Sequence, residues 1–136
     1  MDPEKIRQPN PDWPWMMEVG GNPPEDAARH VKLALEWLSP DGKSFVSLRQ
    51  EAPHDPEQYW FIQCLISICG PGEGQYVVQC GYAETGGQVL LERYCPDLEA
   101  VFALFHPALE YEPVDFSGFT QFLRQPDGSW QAVQSI

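Results

Sequence analysis

The strongest constraint in this sequence is a run of three β-forming segments joined by short loops that contain glycine. The segment 59–69 is dense in β-branched and aromatic residues. The segment 75–82 places Tyr76, Val78, Cys80 and Tyr82 at alternate positions, and the segment 88–94 follows after a second turn. The loops between them suit hairpin turns, because glycine adopts positive φ without strain. Strands joined this closely pair antiparallel, so the sequence predicts a three-stranded meander.

Further strands are predicted on both sides of this meander. The segment 43–49 carries apolar residues among polar ones and is expected to extend the sheet. The proline-containing stretch 52–58 is predicted as the loop that follows it. Near the end of the sequence, the segments 119–125 and 129–133 flank a Pro-Asp-Gly turn and predict a terminal hairpin.

Two helices are predicted. The first is expected to start at Asn22 as N-cap, with Pro23 in its first position and Glu25 completing a capping box, and its apolar face extends to Leu38. Asp97 is predicted to cap the second helix. We expect Pro107 to end or kink that helix after about two turns. The predicted fold class is α+β, with a single antiparallel sheet of about four to six strands and two helices packed on one face.

A proline-rich and tryptophan-rich N-terminal arm precedes this domain. We divide the chain into an arm over residues 1–21 and a single α+β domain over 22–136. Prolines disfavour a helix in the arm, yet Trp13, Trp15 and Val19 are apolar residues that a solvated tail rarely carries. The segment 13–19 either packs along its own domain as an edge strand or binds a partner.

The charge of the chain restricts its partners. Twenty acidic residues against eight basic ones give a formal net charge of −12. Such a surface repels nucleic-acid phosphates and anionic lipids, so we expect neither nucleic acid nor membrane as partner. It favours encounter with a basic protein, although net charge also serves simple solubility. No apolar leader or membrane-spanning run is visible in the sequence, so we expect a cytoplasmic protein.

No motif in the sequence indicates catalysis, a metal site or a cofactor. Cys64, Cys69, Cys80 and Cys95 lack the spacing of a zinc site and are expected to be small core residues. His30 and His106 are predicted on the helices, and His54 lies beside Asp55 in a loop without a recognisable catalytic context. The glycine-rich stretch 70–74 joins two strands and therefore lacks the helix N-terminus of a phosphate site. We expect no enzyme activity.

Carboxylates cluster in two places and are our candidates for partner contact. Glu25 and Asp26 belong to the predicted first helix, and Glu110, Glu112 and Asp115 follow the second. The spacing of calcium ligands in an EF-hand is missing. These carboxylates form either an ordinary solvated face or a surface that meets arginines of a basic partner. Together with Trp13 and Trp15, which we expect to act as aromatic anchors, they make up the predicted binding residues.

The second half of the chain resembles a known group of proteins. An apolar strand, a glycine-rich turn, the segments 75–79 and 88–92 and a helix that opens at 97–99 are similar to the small immunity proteins of bacterial polymorphic toxin systems, especially those paired with deaminase-type toxins. The resemblance extends over residues 22–123, whereas the arm and the terminal hairpin depart from it. It implies a non-enzymatic inhibitor that occupies the active site of a cognate toxin.

Two other functions are compatible with the same features. A dimeric chaperone of the type III secretion kind is also small, acidic and α/β, although such chains usually open with a helix. A phage-encoded inhibitor of a nucleic-acid-binding defence enzyme would use an acidic surface to imitate DNA. The sequence leaves open whether the protein is a monomer or a homodimer.

Overall fold

The computed structural model describes residues 6–20, 30–41, 43–68, 73–84 and 87–136. In this part the chain forms seven strands and two helices in the order β1 (Met16–Gly20), α1 (Val31–Glu36), β2 (Phe45–Ala52), β3 (Asp55–Ile66), β4 (Tyr76–Glu84), β5 (Gly87–Cys95), α2 (Leu98–Leu109), β6 (Thr120–Arg124) and β7 (Trp130–Ser135). None of the helices described is long and apolar enough to cross a membrane.

All seven strands belong to one sheet, and their spatial order follows the sequence from β1 to β7. Every neighbouring pair is antiparallel. The predicted α+β class with a single antiparallel sheet is confirmed. The predicted count of four to six strands is too low, because Met16–Gly20 in the N-terminal arm pairs with β2 as an edge strand.

The core lies between the helices and one face of the sheet. Alternate residues of a strand point to opposite faces, and Trp60, Ile62 and Cys64 of β3 are almost fully buried beneath the helices. The helices contribute buried apolar residues to the same cluster, namely Ala34, Leu35, Val101, Leu104, Phe105 and Ala108. Burial of this continuous apolar face supplies most of the driving force for the fold.

The first helix starts later than predicted. α1 begins at Val31, and His30 before it has an extended backbone with φ −133° and makes no side-chain cap. The prediction of a continuous helix from Pro23 is therefore wrong at His30, which is not helical. The predicted capping box of Asn22 and Glu25 lies outside the described residues. Burial of Ala34 and Leu35, rather than a local capping signal, accounts for this short helix.

The second helix starts as predicted and ends later. The Asp97 side chain accepts a hydrogen bond from the backbone N–H of Ala100 at 2.8 Å, which confirms the N-cap. Pro107 lies inside α2 and does not end it. The helix continues because Ala108 is fully buried in the core, and the carbonyl of Pro107 accepts from the N–H of Glu112 at 2.8 Å.

The long central strand also starts earlier than predicted. Residues 55–58 belong to β3, so the loop between β2 and β3 is reduced to Pro53 and His54. Ala52 pairs with Asp55 while Glu51 pairs with Tyr59, so an irregularity leaves residues 56–58 without partners in β2. Pro56 is tolerated there because an edge or bulge position needs no ladder donor.

Candidate binding surface

The face of the sheet opposite the helices carries a second set of alternating side chains. Phe61 on β3, Leu90 on β5 and Phe122 on β6 belong to one lateral row that runs in register across the sheet. The row contains, in order, Met16, Arg49, Phe61, Gly81, Leu90, Phe122 and Ala132. Its apolar members are absent from the described core cluster, because that cluster lies on the helix side.

A polar row lies directly beside this apolar row. The Gln63 amide donates to the Gln79 side-chain oxygen at 2.6 Å, and the Gln79 amide donates to a Glu92 carboxylate oxygen at 2.8 Å. These three residues are cross-strand partners on β3, β4 and β5. The ladder fixes the orientation of both amides and leads to a carboxylate, which gives this face a defined polar pattern.

A second apolar row lies on the other side of the polar ladder. Leu65, Val77 and Tyr94 are in register on β3, β4 and β5. Val77 is buried, whereas Tyr94 is 41% exposed. We call the surface formed by the two apolar rows and the polar ladder the open face, because both described helices pack on the opposite side of the sheet.

Aromatic rings on the open face occupy the space beside glycines of the neighbouring strand. Phe61 pairs with Gly81, and a Cβ on Gly81 would meet the Phe61 ring at 2.5 Å. The Phe45 ring occupies the corresponding space over its partner Gly20. Such rings shield the sheet backbone, and each presents its outer side at the surface.

Arginine side chains are held at two places on this side of the sheet. The Arg49 guanidinium carbon lies 4.4 Å from the ring centroid of Tyr59, and its Nε lies 2.9 Å from a Glu51 carboxylate oxygen. The Arg124 guanidinium carbon lies 5.3 Å from the ring centroid of Trp130. These cation–π contacts fix positive charge beside aromatic surface in an otherwise acidic protein.

The N-terminal arm packs on the helix side of its own domain. Ile6 is 3% exposed in the core, and the Trp60 indole N–H donates to the carbonyl of Arg7 at 2.8 Å. The Gln8 side chain exchanges two hydrogen bonds with the backbone of Val114, at 2.8 and 3.1 Å. The arm is therefore anchored to both the sheet and the segment that follows α2.

The predicted anchors Trp13 and Trp15 lie in this packed arm and not on the open face. The Trp15 ring stacks on Tyr111 at 6.0 Å and meets Trp60 edge-on at 5.9 Å. The carbonyl of Trp13 accepts hydrogen bonds from Gln50 and Tyr111. The Trp15 indole nitrogen is buried and has no hydrogen-bond partner among the described atoms. Their role in partner binding stays a prediction.

The predicted acidic contacts lie in different places. Glu110 and Glu112 are exposed directly after α2. Asp115 accepts hydrogen bonds from the hydroxyl and backbone N–H of Ser117, and these bonds lower the pKa of its carboxyl. Glu25 and Asp26 lie outside the described residues. Glu110, Glu112 and Asp115 thus follow the helix on the side of the arm, away from the polar ladder.

Two concave regions lie on the helix side. One, of about 470 Å³, is bounded by the arm and the start of β3 and is lined by Arg7, Gln8, Asn10, Pro11, Trp13, Gln58 and Trp60. The other, of about 310 Å³, lies between the helices and is lined by Lys32, Leu35, Glu36, Leu98, Glu99 and Phe102. Among the described residues that line these two regions, none is a cysteine or histidine that could act as a nucleophile or base.

The described thiols are buried in the core, whereas His54 and His106 lie at the surface. Burial raises the pKa of the thiols of Cys64, Cys80 and Cys95, which keeps them protonated. His54 is exposed in the turn between β2 and β3, and His106 contacts the ring of Phe102 in the last turn of α2. Among the described residues, no group of three or more histidine, cysteine or acidic side chains is arranged to hold a metal ion. Cys69 lies outside the described residues.

Comparison with known proteins gives no relative: no family model, curated protein or solved structure matches this chain.

The open face was missed at the sequence level. The strand 59–69 shows one wholly apolar face and one mixed face, and the mixed face looks like an ordinary solvated surface. The open face can be recognised only from the register between strands, because this register aligns Phe61, Leu90 and Phe122 in one row. The sequence draws attention to the tryptophans and the carboxylates instead.

Proposed function

We propose that this protein is a non-enzymatic inhibitor that binds and masks a basic protein partner, as an immunity protein masks its cognate toxin or effector. The observation that supports the proposal is the open face, where apolar side chains form rows on both sides of a polar ladder. Contiguous apolar surface bordered by polar groups marks interaction sites on proteins. Since this face is built on a rigid sheet, a partner meets a preorganised surface.

The polar ladder supports a basic partner. It runs from Gln63 through Gln79 to the carboxylate of Glu92, so hydrogen-bond donation is directed toward that carboxylate. A lysine or arginine of the partner would pair with Glu92 in the centre of apolar surface, where a charged hydrogen bond is strong. The formal charge of −12 on the whole chain steers such a partner at long range.

The exposed acidic residues after α2 have a different role in this proposal. Glu110 and Glu112 lie on the side of the arm, so they contribute to steering rather than to contact. Charge there raises the association rate and has little effect on dissociation. The buried, protonated thiols are core residues and take no part. We place this inhibitor in the cytoplasm, where an immunity protein protects its own cell.

The proposal is tested by affinity capture of the tagged protein from its native cells, with washes at low and high salt. We expect one basic protein at stoichiometric amount, released as salt screens the interaction. Its affinity is then compared for Leu65→Ala on the open face and for Leu33→Ala on α1. Leu33 is 38% exposed on the helix side, so the two variants remove the same side chain from opposite surfaces.

The two variants separate the open face from the rest of the surface. Leu65→Ala should weaken binding about tenfold or more if this face is the interface centre, while Leu33→Ala should leave it unchanged. Glu92→Gln should weaken binding and flatten its salt dependence. Equal effects of the two leucine variants, or affinity that does not change with salt, would contradict the proposal.

A further inference from the structure

The sheet has two edges, formed by β1 and β7. They differ in the features that discourage pairing with a strand of another chain. β1 is short, follows Pro14 and has exposed Glu18 at its centre. A charge at the centre of an edge strand and a nearby proline discourage pairing with another chain. β7 contains the residues Trp-Gln-Ala-Val-Gln-Ser, without a charge or a proline, and its first four residues are exposed. β7 is therefore the edge open to a further strand.

The backbone groups that face outward on β7 can be identified from its pairing with β6. The N–H of Gln125 donates to the carbonyl of Ser129 at 2.7 Å, which makes this a hydrogen-bonded pair. Pairs alternate along an antiparallel ladder, so Arg124–Trp130 and Phe122–Ala132 are non-hydrogen-bonded pairs. Trp130 and Ala132 thus direct their N–H and C=O groups away from β6, and β7 is the last of the described strands on that side.

We propose that β7 pairs antiparallel with β7 of a second copy of this chain, about a twofold axis at Gln131. In this register Trp130 lies opposite Ala132 of the second copy, and the reverse pair forms by symmetry. Each of these two pairs exchanges two backbone hydrogen bonds, which satisfies the outward groups of both residues.

The side chains of β7 fit this arrangement. Trp130 and Ala132 are on the same face of the sheet, because they pair with Arg124 and Phe122 on β6. The large indole of one copy would therefore cover the small Ala132 of the other, which is the size match that cross-strand neighbours prefer. Gln131 on the axis would meet its own copy through amides, which both donate and accept hydrogen bonds.

Charge also favours a second copy at this edge. Two chains of formal charge −12 repel each other over most of their surface, whereas no residue of β7 is charged. At the β1 edge, symmetric pairing would bring the two Glu18 carboxylates toward each other. Pairing through β7 keeps the contact neutral and places the open faces of the two copies on the same side of one continuous sheet.

The contact is short. Gln121 pairs with Gln134 while Phe122 pairs with Ala132, so Val133 is an extra residue that interrupts the ladder. An interface of this length lies below the roughly 1,200 Å² of stable complexes. The dimer therefore forms at high protein concentration, and added salt strengthens it by screening the repulsion between the two acidic copies.

Cysteine cross-linking tests the register directly. Residues facing each other at a non-hydrogen-bonded antiparallel position have Cα atoms about 4.5 Å apart, within the range of about 4.4–6.8 Å that a disulfide spans. Gln131→Cys at the twofold axis should therefore form a covalent dimer under mild oxidation, at least tenfold faster than Ala103→Cys on the exposed side of α2. The parent protein controls for its own thiols.

A blocking variant completes the test. In the Gln131→Cys background, Ala132→Pro removes an outward N–H that β6 does not use, and circular dichroism checks that the fold is kept. Should that variant fail to fold, Ala132→Glu serves instead, because it places charge opposite Trp130. Either change should slow cross-linking to the rate of Ala103→Cys. Cross-linking of Gln131→Cys no faster than that control, or unaffected by both blocking changes, overturns the proposal.

Association through β7 does not depend on the proposed inhibitor function. Association of two copies is measured on the purified protein by sedimentation against concentration and strengthens with salt. Capture of a basic partner weakens with salt. Because salt has opposite effects on dimerisation and on partner binding, each proposal can fail without the other failing.

Discussion

Gln50 and Asn10 exchange two hydrogen bonds between the sheet and the N-terminal arm. The backbone N–H of Asn10 donates to the Gln50 side-chain oxygen at 3.0 Å, and the Gln50 amide donates back to the carbonyl of Asn10 at 2.8 Å. The same amide donates to the carbonyl of Trp13 at 2.8 Å. Gln50 has no exposed surface, so one buried side chain on β2 satisfies three backbone groups of the arm.

Replacing Gln50 should detach the arm and lower stability. Gln50→Leu keeps the approximate volume but removes three hydrogen bonds to the arm and leaves the backbone N–H of Asn10 without its acceptor, at a cost of about 2–4 kcal/mol in the free energy of unfolding. Gln121→Leu is the matched control, since Gln121 is also buried but accepts one hydrogen bond, from Gln134 at 2.7 Å. Urea unfolding should show a clearly smaller loss for Gln121→Leu. Similar losses would contradict the anchoring role of Gln50.

The cap of α2 should contribute a measurable part of its stability. Asp97→Ala removes the acceptor of the Ala100 N–H and should cost about 1 kcal/mol in the free energy of unfolding. Asp97→Ser keeps a capping oxygen and should recover most of that loss. If urea unfolding gives the same stability for the alanine and serine variants, the hydrogen bond makes no net contribution.

Local patterns were enough to predict the central architecture. The apolar strand 59–69, the alternation in 75–82 and the glycine-containing loops beside them predict the meander, and Asp97 before an apolar stripe predicts α2. These signals are local because hairpin pairing and helix capping involve residues close in sequence. The α+β class follows from them.

Long-range contacts decide what the sequence could not predict. β1 pairs with β2 across the segment that contains α1, and α1 begins only where Ala34 and Leu35 reach the core. The open face depends on the register between strands, which no single segment determines. The partner residues predicted from composition, such as Trp15, were chosen for their residue type, and packing of the arm gives Trp15 ring contacts within its own domain.

The buried thiols predict loss of stability at high pH. Burial raises the pKa of Cys64 and Cys80 above the ordinary value of 9.0 and also raises the pKa of Cys95. Because the unfolded chain loses these protons first, their contribution is fully present below pH 9 and is lost as pH rises above it. Cys64 and Cys80 should each decrease the free energy of unfolding by about 1.4 kcal/mol per pH unit above pH 9.

Urea unfolding between pH 8 and 10.5 measures this slope. Cys80→Ala removes one titrating thiol. Above pH 9 the free energy of unfolding of this variant should therefore fall less steeply than that of the parent, by about 1.4 kcal/mol per pH unit. The comparison cancels the titration of tyrosines and lysines, which both proteins share. If the free energy of unfolding falls with pH at the same slope in both proteins, the pKa of Cys80 is the same in the folded and unfolded states, and the prediction is wrong.

The contact between Phe61 and Gly81 predicts a specific sensitivity of the open face. Gly81→Ala would place a Cβ 2.5 Å from the Phe61 ring and 3.2 Å from the carbonyl oxygen of Val89, so the ring must move. We expect a loss of about 1–3 kcal/mol in the free energy of unfolding, typical of overpacking. Gly87→Ala is the control, because nothing lies within 4 Å of its added Cβ.

A double-mutant cycle assigns that loss to the ring. In a Phe61→Ala background the added methyl group of Gly81→Ala meets less resistance, so its cost should fall by at least half, leaving the contact with the Val89 carbonyl. Under the proposed function, Gly81→Ala should also weaken capture of the basic partner, since displacing Phe61 changes the shape of the apolar row. A cost of Gly81→Ala that is unchanged without the ring would place the strain in the backbone and show that the Phe61 ring does not cause it.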